Sequence, residues 1–476
     1  MRLRTTWRQL PLALLLLIVF AAQVAAATKE YVAQAGARPQ IDSITVSGTW
    51  AAGDTGTVTI GNSSVIVTCG SSTTTTAQMA DVVKRAINAT RIDENLVGDE
   101  SRSAAGQQIG EFRDVEAVID PTNTSRVLVR SVVAGVPFGT PGASGGPINA
   151  MTVADTAAAG ALARASVQTA TGPWHWDAAA NWSTGSVPGN DDIVVFMGTK
   201  DGPKYGLPNS SLEVTFNVYK NFEGWVGLPL INTANGTPYT EYRQRFARLD
   251  DAGTGTDIAH RFGLGASGKG SPLINLRHTL VKCSPVVFST GQPLSDGTYA
   301  LNVVLTTNTS TLNVLDGSVD CSSADGQTAA LATLTQNGGV TRGIAAMKTS
   351  GNVNLNGGQS LIGGTLAIAT TQVRGGVLRI ENQTGAVNIL QIFKGGTVTY
   401  ASNATIANLY VIGGTFDARD NTGSFTATTA ELFQGGTFLD PYRRATFGGS
   451  GLAVGFEPSD KLQVGGSESE VIYITR

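Results

Sequence analysis

Six Gly-Gly pairs, beginning at Gly338, Gly357, Gly375, Gly395, Gly413 and Gly435, recur in steps of 19, 18, 20, 18 and 22 residues. Each pair stands before or inside a short β-type run, as in GGVLRI, GGTVTY, GGTFDA and GGTFLD. A period of about 20 residues is the mark of a solenoid, whose coils bury their apolar faces only by stacking on one another. Val, Leu, Ile and Phe supply the inward positions. Glycine serves the corners, where φ turns positive or two backbones approach closely. The expected fold class is therefore mainly β: a small N-terminal α+β module followed by a long right-handed parallel β-helix. Asn352, Asn354, Asn356, Asn388, Asn403 and Asn408 are expected to stack in polar ladders between coils.

Composition agrees with that class. Glycine makes up 58 of 476 residues and charged residues only 14%, as in an extended β protein with many tight turns. A net charge of −3, without a basic stripe interleaved with aromatics, argues against nucleic acid as a partner.

The N-terminus reads as an export signal over residues 1–27. Arg2, Arg4 and Arg8 form a basic start, Leu10 to Phe20 an apolar core, and Ala25-Ala26-Ala27 a small-residue cleavage region before Thr28. The same apolar stretch is long enough for an uncleaved anchor. Nothing later reaches spanning length, so the expected location is extracellular or in the cell envelope. Cys69, Cys283 and Cys321 are too few for a disulfide scaffold. Cys283 and Cys321 are candidates either for pairing across coils or for buried thiols.

The remaining organisation is read as follows. Residues 28–40 are a linker and 41–140 a small α+β module. In the module a helix buries Met79, Val82, Val83, Ala86 and Ile87 on one face, and Thr75 with Gln78 forms a capping box at its start. Two strands before the helix and two after it make a β-β-α-β-β unit. Residues 141–172 are a linker rich in Gly, Ala, Ser and Thr. Residues 173–337 hold an irregular β region with early coils, 338–447 the regular coils, and 448–476 a C-terminal cap. Both solenoid ends need capping against edge-to-edge association.

Three segments together resemble a group of poorly characterised β-helix proteins from planctomycete-like bacteria and their prophage regions. They are GDTGTVTIGNSSVIVT…AQMADVVKRAINA…VAGVPFG, the W-D-x-x-x-N-W-S-x-G-x-V-P run from Trp176 to Pro188, and VGLP…PYTEYRQRF at 226–246. The resemblance implies a structural or adhesive role and brings no catalytic residues with it. Surface polysaccharide or another envelope component is the implied partner. A virion location, as a phage-derived tail or fibre component that trimerises, is the alternative. The export signal sets the cell-surface reading ahead of it.

The chemistry candidates are few. Gly142 to Pro147 looks like a serine-protease nucleophile segment but lacks its Asp. All of His175, His260 and His278 follow Ser144, the reverse of the order found in that family. Trp174, Trp176 and Trp182 are candidates for a carbohydrate platform or for a cap over the first coil. Asp177, Asn181, Asp191 and Asp192 offer oxygen ligands at spacings that fit no calcium loop. Tyr239, Glu241, Tyr242, Arg243, Arg245 and Arg248 form a charged cluster, read as a solvated strand face. Asp417 and Asp420 are the nearest approach to the paired acids of a polysaccharide-processing enzyme, and Arg419 between them is placed to neutralise either. The expectation is a non-catalytic protein with no metal site and no cofactor.

Overall fold

The computed structural model describes residues 26–138 apart from 62, 72–74 and 89–109, and 151–227 apart from 158, 200 and 209–211. It also describes 231–234, 237–240, 247–249, 260–265, 273–278, 286–287, 301–305, 310–320, 330–448 apart from 345 and 366, 452–454, 461–464 and 472–473. The chain forms a parallel β-solenoid of about 8 turns. Each regular coil gives one strand to each of two facing sheets. Along the first sheet run Ile368–Val373, Val387–Phe393, Ile406–Ile412 and Phe425–Phe433. Along the second run Gly376–Glu381, Gly396–Ala401, Thr415–Asp417 and Thr437–Asp440. No described helix is long and apolar enough to cross a membrane.

Between the sheets lies a continuous core of alternate side chains, including Val373, Leu390, Ile392, Leu409, Val411 and Leu432. Phe416 and Phe438, on adjacent coils, stack with their rings 13° from parallel and 5.1 Å apart. Parallel stacking places equivalent residues directly above one another, so aromatic rings repeat as columns.

One corner of each coil is the Gly-Gly turn. The left-handed residue is the second glycine at Gly339, Gly358 and Gly376, and the first at Gly395, Gly413 and Gly435. The corner thus shifts by one residue within the pair, which accounts for the uneven step between Gly375 and Gly395. At Gly376 (φ +75°) a Cβ would lie 2.2 Å from the Gly358 carbonyl oxygen of the neighbouring coil, so no other residue fits without displacing backbone.

The opposite corner is held by buried polar side chains. Ser402 donates to the Gln383 carbonyl at 2.5 Å and Asn421 donates to the Ser402 carbonyl at 2.7 Å, each 19 residues along the chain. The Ser402 and Asn421 side-chain oxygens accept the Ala404 and Gly423 amides, closing local turns. The expected asparagine stacking is thinner. Asn356 donates to Asn337 at 2.8 Å and Asn408 to the Asn388 carbonyl at 3.1 Å, whereas register places Asn352 beside Thr370.

The segments read as linkers contain strands. Thr28–Glu30 pairs in parallel with Ile193–Phe196 as the first strand of the solenoid, and Tyr31 enters the solenoid core. The chain then leaves the stack, forms the α+β unit and returns. Thr152–Asp155 joins a three-stranded antiparallel sheet with Thr55–Ile60 and Ser63–Thr68. Ala159–Gln168 pairs with Ile41–Thr49 as the edge of a four-stranded antiparallel sheet that also contains Val115–Asp120 and Asn123–Ser131. The unit is thus two sheets and one helix rather than β-β-α-β-β. Neither Thr28–Glu30 nor Ala159–Gln168 is legible in the sequence, for a physical reason. Thr28–Glu30 is too short to show a period, and Ala159–Gln168 buries only Leu162, holding its place by backbone pairing and by Arg164 on the buried Asp42 at 2.8 Å.

The helix Thr76–Asn88 buries Met79, Val82, Val83, Ala86 and Ile87 as expected. Its capping box is present: the Gln78 amide reaches the Thr75 hydroxyl at 3.2 Å and the Thr75 amide reaches Gln78 Oε1 at 3.0 Å. Cys69 is a buried thiol. Cys283 and Cys321 lie outside the described residues, as do Gly142 to Pro147 and the side chains of the 239–248 charged cluster.

Replacing Gly376 with alanine is expected to cost about 1–2 kcal/mol for the left-handed backbone and about 1–3 kcal/mol more for the overlap. Gly185→Ala (φ +68°, with no atom within 4 Å) carries only the first cost. Urea midpoints of the two variants measure the difference.

Candidate functional site

The Trp174 to Asp192 segment folds over the open end of the first coil. Trp176 and Trp182 are each 2% exposed. They meet edge to face at 4.8 Å, and Trp182 contacts Tyr31 at 5.1 Å. Phe196 and Phe216 pack beneath them. The Trp182 indole N–H donates to the Trp176 carbonyl at 2.7 Å, which satisfies the buried donor. Trp174 is half-buried, donates to Asp201 at 2.9 Å and carries the Lys204 ammonium 5.0 Å above its ring. Of the carbohydrate-platform candidates Trp174, Trp176 and Trp182, Trp176 and Trp182 are turned into the solenoid core as a cap, and Trp174 packs against the core of the α+β unit.

The residues weighed as calcium ligands are used otherwise. Asn181, fully buried, accepts the Ala35 amide at 2.7 Å and donates to the Gly172 and His175 carbonyls at 2.8 and 2.7 Å. It thereby ties together the segment leaving the first coil and the segment returning to it. Asp192 pairs with Lys29 at 2.9 Å and accepts the Gly189 and Ala27 amides. Burial pushes the Asp192 carboxyl up, but the Gly189 amide, the Lys29 ammonium and the Ala27 amide outweigh it and hold it below the usual carboxylate range. Asp177 is exposed at the His175 ring. No cluster of metal-binding side chains occurs among the described residues.

The histidines are equally dispersed. His175 Nε2 lies 2.9 Å from the Gly135 carbonyl, joining the solenoid end to the α+β unit. His260 accepts the Phe216 amide at 3.1 Å inside the solenoid. The side chain of His278 lies outside the described residues. Asp417 is held by Arg419 at 2.8 Å, and Asp420 by Arg379 at 2.6 Å. The two acids thus belong to separate ion pairs on the solvent side of the second sheet.

The most regular half-buried arrangement lies on the outer face of the first sheet. Strand register aligns Thr333, Asn352, Thr370, Ile389, Asn408 and Thr429 in one column. Beside it run Thr335, Asn354, Gln372, Gln391, Tyr410 and Glu431. At ~4.8 Å per strand the columns extend about 24 Å. Gln372 donates to Gln391 at 2.8 Å, so the amides of adjacent coils are oriented by one another. Arg374 lies 5.5 Å over the Phe393 ring at the border of the face. Within the two columns Glu431 is the only charged residue. Amides and hydroxyls both donate and accept, and Tyr410 adds an aromatic surface. Such a face can bind a neutral polyhydroxylated chain lying across successive coils. Sequence reading noted Asn352, Asn354 and Asn408 but missed the two-column face, because the alignment depends on strand register.

Comparison of the chain with known protein families, with curated proteins and with solved structures finds no match.

Asn181→Ala is expected to destabilise the solenoid end by about 1–3 kcal/mol for each buried group left unpaired, read as a lower urea midpoint. Because the folded-state pKa of Asp192 is depressed, its contribution to stability is present above the unfolded carboxylate value of about 3.9 and disappears as pH falls through the folded value. The thermal midpoint of Asp192→Asn should accordingly fall less between about pH 5 and pH 3 than that of the unmodified protein.

Proposed function

We propose that this protein is an exported, non-catalytic structural component of the cell surface whose solenoid lies along neutral polysaccharide. The observation that carries the reading is the two-column, mostly amide and hydroxyl face of the first sheet, in which Glu431 is the one charged member and Arg374 donates to Gln372 from the border. Rigid stacking fixes the spacing of its polar groups before binding, which reduces the ordering entropy that association costs. The sequence features that support export are the basic start, apolar core and small-residue end of residues 1–27. The non-catalytic part is supported by the separate arginine partners of Asp417 and Asp420, since glycoside hydrolysis relies on two acids facing one bond.

Retention on insoluble neutral polysaccharides, with cellulose and chitin as probes, is the direct test. The expected result is binding that persists at 1 M salt, because a neutral interface is little screened (Debye length about 3 Å). Gln391→Lys with Asn408→Lys should weaken retention at least 10-fold while leaving the thermal midpoint within a few degrees. Absence of retention on every neutral probe, or equal retention of the double variant, would overturn the assignment of this face.

A further inference from the structure

We infer that export processing cuts the Ala26–Ala27 bond and that the freed α-ammonium of Ala27 becomes a second cation on Asp192. This rests on the export reading above and moves its processing site one residue earlier than the Thr28 start read from the sequence. The small residues of Ala25-Ala26-Ala27 permit a cut on either side of Ala27. The folded structure distinguishes the two.

Ala27 is already part of the first coil. Its carbonyl accepts the Ile193 amide at 2.9 Å, and its own nitrogen donates to Asp192 Oδ1 at 3.2 Å. Ala26, one residue earlier, is exposed. Asp192 is 7% exposed, and its other oxygen is engaged by Lys29 Nζ at 2.9 Å and the Gly189 amide at 2.8 Å. Lys29 is further fixed by the Val187 carbonyl at 2.9 Å and Ser186 Oγ at 3.1 Å. A cut after Ala27 would remove the carbonyl that receives the Ile193 amide and the donor that faces Oδ1. The Ile193 amide and Asp192 Oδ1 would then each lack the partner that the fold gives them. A cut before Ala27 keeps both contacts and replaces a neutral amide donor with a charged one, the stronger kind of hydrogen bond.

The step is a hydrolysis. Water adds its oxygen to the Ala26 carbonyl carbon, the C–N bond to Ala27 breaks, and the departing nitrogen takes the proton. With a reference pKa of about 7.7–8.0, the new amine is mostly protonated at neutral pH. Hydrolysis is supplied by an export peptidase of the host, and the chain itself provides the acceptor for the product amine. The opening strand Thr28–Glu30 makes three register pairs with its parallel neighbour and is met on its other edge only from Glu30 onward, so an ion pair just before its first residue fixes that end against fraying.

The test uses the full-length chain expressed through a bacterial export route and recovered from the exported fraction. Intact mass and N-terminal sequencing are expected to give Ala27 as the first residue. Acetylation of the α-amine near pH 7.5 should be at least 10-fold slower in this protein than in Asp192→Asn, with thermal melts confirming that the variant is folded. A first residue of Thr28, or equal acetylation rates in the two folded proteins, would overturn the inference while leaving export intact. Recovery of a chain that retains residues 1–26 would overturn both the processing site and the expectation that the leader is removed. If Asp192→Asn does not fold, the N-terminal sequence of the unmodified protein still decides the position of the cut.

Discussion

Parallel backbone pairing between successive coils is the interaction on which the rest of this structure depends. Each coil satisfies the strand edges of its neighbours, so amide and carbonyl groups are paired along the stack and left open only at its ends. That single constraint dictates the core columns, because register repeats at every coil. It also dictates the corners. One corner must be narrow enough for the next coil to lie on it, and Gly376 shows why only glycine serves. The other corner is wider and buries polar atoms, which the Gln383, Ser402 and Asn421 column pairs off one coil at a time.

The same constraint makes the first coil a special problem. Its open end would expose both an apolar core and an unpaired strand edge. Trp176 and Trp182 close the core, and residues 181–183 cover the outer edge of Thr28–Glu30, with the Ser183 amide on the Glu30 carbonyl and the Val32 amide on the Asn181 carbonyl. The W-D-x-x-x-N-W spacing is thus accounted for locally. The tryptophans are the lid, and the asparagine between them fastens it to both strands that pass beneath. A sugar platform needs rings turned outward, and the need to seal the core turns them inward.

What was legible in the sequence follows from the range over which each signal acts. The Gly-Gly steps announce coils because corner geometry is local and repeats. The helix Thr76–Asn88 is legible for the same reason, its capping box and 3.6-residue period both lying within one segment. Thr28–Glu30 and Ala159–Gln168 are held by partners about 120 to 165 residues away, and nothing in their own composition declares it. The two polar columns of the first sheet lie between these cases. Their polar residues alternate visibly within each strand, but the corners absorb insertions of varying length. The step from Asn408 to Thr429 is therefore not the step from Ile389 to Asn408, and spacing alone misaligns them.

The α+β unit bridges the long sequence gap within the first coil. Ala27 and Asp192 are 165 residues apart, and joining them directly from an unfolded chain would carry a large loop-closure cost before any contact offset it. The unit between them has its own core and its own antiparallel sheets. Once folded, it brings Arg38 and Thr171 within hydrogen-bonding distance, the Arg38 amide reaching the Thr171 carbonyl at 2.7 Å. On one side of that neck Ala35 lies just before Arg38, and on the other Asn181 lies 9 residues beyond Gly172 and 6 beyond His175, so the three groups it bonds are all near the neck. The long closure becomes two short ones. The inserted unit thus closes the neck from which the opening strand runs to the edge of the stack.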